Sequence, residues 1–296
     1  MPRPLLPANE GINLIMKNKT ILITGGTTGI GLATSKLLSA EGAKIIVTGR
    51  NPETLAAVQR ELPGVIVIKS DSGSLSAAQS LGGEVKKHVN HLDGVFLNAG
   101  IATITPFESE SSQHFDDGFN INVRGPFFQL QSLLPLLGNP SAVVFNSSLG
   151  ASIAIPAESV YCATKAAISS LGETLAVELA PRGIRVNVVS PGMVDTPIIK
   201  KCGLPGEQQK NHREMFAAKT LLKRIGTADE VAQLVRFLLS EESSYIIGTE
   251  SIIDGGLRLA RKKKTEMANS KDVVVTGVST GIGWGTTQAK VDVFSN

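Results

Sequence analysis

Seven short apolar runs limit what this chain can fold into: TILIT (20–24), KIIVTG (44–49), GVIVI (64–68), LDGVFLNAG (92–100), SAVVFNSS (141–148), IRVNVVSPG (184–192) and SIIDGG (251–256). Their nearly unbroken hydrophobicity is what strands covered on both faces require. Between them lie segments such as IGLATSKLLSAEGA and TLAAVQRELPG, whose apolar residues recur at helical spacing and which end at Gly or Pro. Strand and helix in alternation give parallel strands joined by crossovers. The expected fold is therefore α/β and doubly wound, with a mostly parallel seven-stranded sheet flanked by helices. A late helix is marked at TADEVAQLVRFLLS, where Thr227 and Glu230 have capping-box spacing.

Composition narrows the function classes. With 42% hydrophobic and 19% charged residues the chain has the means to bury a core. The net charge is only +3, and the basic run Arg258–Glu266 has no interleaved aromatics, so nucleic acid is not an expected partner. No run reaches the roughly 18 uncharged apolar residues of a membrane span, and no membrane association is expected. Two cysteines, Cys162 and Cys202, and no secretory leader point to reduced thiols and a cytoplasmic location. His88, His91, His114 and His212 form no ligand pattern; surface positions are expected for them, and no metal. Residues 1–15 read as an N-terminal extension ahead of a domain that starts at Met16.

The segment TGGTTGIG follows the first run and opens a helix. Gly25, Gly29 and Gly31 stand where backbone turns tightly and approaches a phosphate, a path that a Cβ would obstruct. The amides of this loop and of the first helical turn, with the positive end of the helix dipole, would face a pyrophosphate. After the second run the sequence reads TGRN, so Gly49 and Arg50 occupy the place where a carboxylate would bind the ribose hydroxyls of NAD. A guanidinium binds a 2′-phosphate instead, so NADP(H) is favoured over NAD(H). Further on, Tyr161 and Lys165 are four apart in the helical run ESVYCATKAAISSLGETLAVELA, on one face and about a turn from each other. A phenol with its ordinary pKa near 10 handles protons poorly at neutral pH, and a neighbouring ammonium is expected to lower that value.

From roughly Met16 to Leu259 the chain resembles the short-chain dehydrogenases/reductases, single-domain Rossmann-fold oxidoreductases that use NAD(H) or NADP(H). The motifs occur in order: Thr24, Gly25, Gly29 and Gly31 in the loop; Asn98, Ala99 and Gly100 (NAG) after the fourth strand; Asn122 (INV) in the next helix; NSS at the end of the fifth strand; YCATK; and RVNVVSPGMVDT after it. The resemblance implies the tetrad Asn122, Ser148, Tyr161 and Lys165. The strand pattern leaves Ser147 and Ser148 open; the family's serine lies thirteen residues before its tyrosine, which selects Ser148. Tyr161 would exchange a proton with the substrate oxygen, Ser148 would hold that oxygen, and the pro-S hydride of the nicotinamide would pass to the carbonyl carbon. Lys165 would bind the nicotinamide ribose as well as tune Tyr161, and Asn122 would hold a relay water. Cofactor contacts implied by the resemblance are Thr27, Thr28 and Ile30 in the loop, Asp71 near the adenine, Asn98 and Ala99 beside the ribose, Gly100, and Pro191, Gly192, Val194 and Thr196 around the carboxamide.

The expected activity is hydride transfer between NADP(H) and a carbonyl or secondary-alcohol substrate, a small molecule. The alternatives are an NAD-dependent secondary-alcohol dehydrogenase and a non-catalytic dinucleotide-binding redox sensor. Met193–Arg224 occupies the place of the family's substrate lid, and the apolar stretch FFQLQSLLPLL with the Tyr161 helix suits the homo-oligomer, dimer or tetramer, that the resemblance implies. Residues 261–296 repeat the loop spacing at Thr276, Gly277, Gly281 and Gly283, but only thirteen residues follow. They read as a basic linker and the truncated start of a second, similar unit, too short to build its own sheet.

Overall fold

The computed structural model describes residues 15–202 and 205–260; the expectations for residues 1–14 and for the tail beyond Ala260 lie outside the described residues. The chain divides into two units, Met1–Arg258 and Leu259–Asn296, and the sheet, its helices and the candidate site all belong to the first.

The apolar runs become β1 (Thr20–Ile23), β2 (Lys44–Gly49), β3 (Ile66–Lys69), β4 (Leu92–Leu97), β5 (Leu137–Asn146) and β6 (Ile184–Pro191). Two short strands, β7 (Val194–Asp195) and β8 (Gly226–Thr227), precede the last, β9 (Glu250–Ile253). Seven of them form one sheet in the order β3-β2-β1-β4-β5-β6-β9, every neighbouring pair parallel. β7 and β8 pair in a separate two-stranded ribbon that the runs did not announce.

The helices α1 (Gly29–Ala40), α2 (Pro52–Glu61), α3 (Leu75–Lys86), α4 (Ser112–Phe119), α5 (Gly125–Leu133), α6 (Ser159–Leu179), α7 (Gly206–Lys219) and α8 (Ala228–Leu239) complete the alternation. Strand side chains point to opposite faces in turn. In β1, Ile21 and Ile23 join a core with Leu38 of α1 and Val231, Val235 and Leu238 of α8, whereas Leu22 joins the opposite core with Leu81 of α3, Leu133 of α5 and Ile168 of α6. Both faces are dry, which explains why the runs lack polar alternation. Met16 is buried at 1% exposure in the first of these cores. The Thr227–Glu230 capping box forms at the start of α8.

Boundaries shift where turns intervene. The third run was expected to be strand from residue 64, but Gly64 has φ +84 and the Val65 amide bonds to the Leu62 carbonyl, so a turn holds the chain until Ile66. β1 lies between β2 and β4, so the chain leaves it in opposite directions. The reversal opens a crevice at the carboxyl ends of the strands, where ligands bind in doubly wound sheets.

Candidate active site

The crevice is a cleft of about 530 Å3 lined by the glycine loop, the ends of β2, β4, β5 and β6, the start of α6, and residues from Met193 to Phe216. Gly25 and Gly29 take φ +61 and +54, and both line the cleft with Thr27, Thr28 and Ile30. The N-cap Thr28 makes no side-chain capping bond, and the first turn of α1 carries no acidic residue. Its amides are thus left for an anion, as a pyrophosphate requires.

Gly31 departs from expectation. It does not line the cleft; a Cβ there would stand 2.3 Å from the Gly25 carbonyl oxygen and 2.6 Å from Asn98 Nδ2. Its bareness serves packing of helix on loop, not close approach to a ligand. Asn98 in turn braces the loop: Nδ2 donates to the Thr24 and Gly25 carbonyls at 3.0 and 3.2 Å, and the Asn98 and Ala99 amides donate to Thr24 Oγ1. Asn98, Ala99 and Gly100 all face the cleft.

At one end, Arg50 follows β2, exposed and with no ion pair among the described residues, and Thr27 Oγ1 accepts from Thr54 Oγ1 beside it. Asp71 lines the same end and accepts from the Gly73 amide. At the other end are Pro191, Gly192, Val194 and Thr196, the last two on the β7 ribbon and its exit.

The proton-handling groups meet between these ends. Lys165 is 5% exposed, and its Nζ donates to the Asn146 carbonyl at 2.7 Å and lies 5.7 Å from the Tyr161 ring centroid. Asn146 Nδ2 donates to Asn98 Oδ1, so a polar chain connects the glycine loop to Lys165. The two serines separate: the Ser147 hydroxyl is buried against the Lys165 carbonyl and Ser169, whereas Ser148 accepts from the Gly150 amide and hydrogen-bonds the Tyr161 phenol. Asn122 lies in a π-helical stretch, Asn120–Arg124, and does not line the cleft. Its carboxamide clips both backbone groups of Ile101 and donates to Thr164 Oγ1.

The expected lowering of the Tyr161 pKa is overturned. Burial pushes the phenol up to about 12; Ser148 opposes this, and Glu158 and Cys162 add to it. Lys165 is itself pushed down to about 8 by burial, while its Nζ donates to the Asn146 carbonyl. Helical spacing correctly put the two side chains together, but it carried no information on the dehydration that dominates both. His212, expected at the surface, instead lines the cleft from α7, with Nδ1 buried and unpartnered and its pKa lowered by burial. Glu158, at the N-cap of α6, also lines the cleft and was not singled out from the sequence. Nor was Asn146, although it stands first in NSS.

This arrangement can be set beside known proteins. A family model described as enoyl-(acyl carrier protein) reductase matches residues 25–258. The oxidoreductase asL5 of Sarocladium schorii is 38% identical over 246 residues, covering 82% of this chain and 96% of that protein. The chain belongs to the short-chain dehydrogenase/reductase family. Levodione reductase of Leifsonia aquatica, another relative, is 34% identical over 81% of this chain and 94% of its own length. A solved short-chain dehydrogenase from Burkholderia cenocepacia in complex with NADP superposes with a TM-score of 0.74 at 30% identity, over 82% of this chain and 99% of that one. The family's parallel seven-stranded sheet is the one seen here, and the chain is an oxidoreductase of that family. Among the described residues no helix is long and apolar enough to cross a membrane.

Proposed function

We propose that the protein is an NADP(H)-dependent carbonyl reductase that uses Tyr161 as its proton donor. The observation that carries this reading is the convergence of Ser148, Tyr161 and Lys165 on one wall of the cleft whose far end is the bare-amide glycine loop. The cradle fits a dinucleotide: two left-handed glycines, a helix start without a side-chain cap and an Arg50 with no ion pair among the described residues suit a pyrophosphate and a 2′-phosphate. Bound NADPH supplies the hydride.

The chain supplies orientation and the proton. Ser148 donates to the substrate oxygen and stabilises the charge that gathers there. Tyr161, protonated at neutral pH, carries the proton that this oxygen needs, and the Ser148 hydrogen bond, which opposes the rise of its pKa, eases the release. Lys165, joined to the loop through Asn146 and Asn98, holds the cofactor's ribose and returns a proton to Tyr161.

Arg50 sets cofactor choice. Arg50→Ala is expected to weaken NADPH binding about 10- to 100-fold, the worth of hydrogen bonds to a charged group, and to change NADH binding less than about 3-fold. Fluorescence titration of both cofactors checks this, and equal losses would remove Arg50 from that role.

A further inference from the structure

The substrate half of the cleft is walled chiefly by apolar side chains, among them Leu149, Ile155, Met193, Phe216 and Leu257. One carboxyl group stands in this lining. Glu158 lies three residues before Tyr161, at the N-cap of α6, yet its side chain makes no capping bond to the helix amides. No charge or hydrogen bond among the described residues offsets its burial, which lifts the carboxyl to about 7. The lysine of the cleft, Lys165, is engaged with the Asn146 carbonyl. The cleft's other carboxyl, Asp71, serves the Gly73 amide after β3. His212, which also lines this half, has its pKa lowered, by burial first and by Lys219 second.

A partly buried carboxyl without a partner costs stability, and nothing among the described residues offsets that cost. Such groups in clefts mark function. Its charge also acts on the Tyr161 phenol, so the two groups flank the same region. Resting on the carbonyl-reduction reading above, we propose that Glu158 determines specificity. It binds a hydroxyl on the carbon next to the reacting carbonyl, so the preferred substrates are α-hydroxy ketones and the products vicinal diols. A group that shares its proton near neutrality serves a neutral hydroxyl as acceptor or donor. Glu158 takes no part in the proton transfer, which remains with Tyr161.

The test uses NADPH and two matched pairs, 2-hydroxycyclohexanone against cyclohexanone and 3-hydroxybutan-2-one against butan-2-one. In the wild type the hydroxy ketone should have the higher kcat/KM in each pair. In Glu158→Ala the ratio within a pair should fall by roughly 10- to 100-fold, while Glu158→Gln, which keeps an acceptor oxygen, should retain part of it. A ratio unchanged by Glu158→Ala would overturn the proposal, as would equal losses for both members of a pair, since those would show Glu158 acting through Tyr161. Wild-type turnover without preference would sink this inference alone. Consumption of none of the four ketones would count against the reductase reading itself.

Discussion

Tyr161→Phe should lower kcat by roughly 10³-fold or more while NADPH binding stays within about 2-fold of wild type, as judged by steady-state kinetics and fluorescence titration. The substitution removes one oxygen and leaves the ring that packs 5.7 Å from Lys165 Nζ. Ser148 remains in place on the Gly150 amide, so the substrate oxygen still finds a donor but no longer a proton source. A loss confined to kcat separates proton transfer from binding. A variant that kept its turnover would assign the proton to Ser148 or to solvent.

Gly31→Ala should have the second largest effect, because the new methyl meets backbone. It would stand 2.3 Å from the Gly25 oxygen, and Gly25 has little room to yield, its own Cβ position lying 3.0 Å from the Ala99 Cα. Asn98, 2.6 Å from the same methyl, is pinned by the carbonyls of Thr24 and Gly25 and by Asn146. The loop must shift, and its cradle with it. NADPH affinity is expected to fall more than about 100-fold and stability by about 1–3 kcal/mol, the usual cost of overpacking. Gly83→Ala in α3 is the control: nothing lies within 4 Å of its Cβ position, so it should gain about 0.5–1 kcal/mol. Thermal melts of the two variants check the contrast, and a Gly31→Ala protein with normal NADPH affinity would contradict the bracing role.

What the sequence disclosed depends on how local each feature is. Strands buried on both faces announce themselves as apolar runs, so β1, β2, β4 and β6 were legible nearly to the residue. The start of β3 was not, because the turn at Gly64 and Val65 depends on backbone conformation and not on hydrophobicity. The pairing of Val194–Asp195 with Gly226–Thr227 joins short segments distant in sequence, too brief to carry a pattern. Within the site, the glycine loop and the Tyr161–Lys165 spacing are local and were visible; the choice of Ser148 needed the family's spacing. Glu158 and His212 reach the cleft only because α6 begins and α7 crosses there, a tertiary fact. The pKa of Tyr161 was misjudged for the same reason, since burial is a property of the assembled fold. The bonding of the Asn122 side chain to Ile101 and Thr164 joins segments distant in sequence and was likewise not legible.

The central claim is that this cleft moves a hydride from NADPH to a carbonyl carbon, and isotope transfer tests it most directly. With NADPH deuterated at the pro-S position of the nicotinamide and 2-hydroxycyclohexanone as substrate, the diol recovered should carry one deuterium on the new carbinol carbon by mass spectrometry. An unlabelled diol, or consumption of none of the four ketones, would contradict the account.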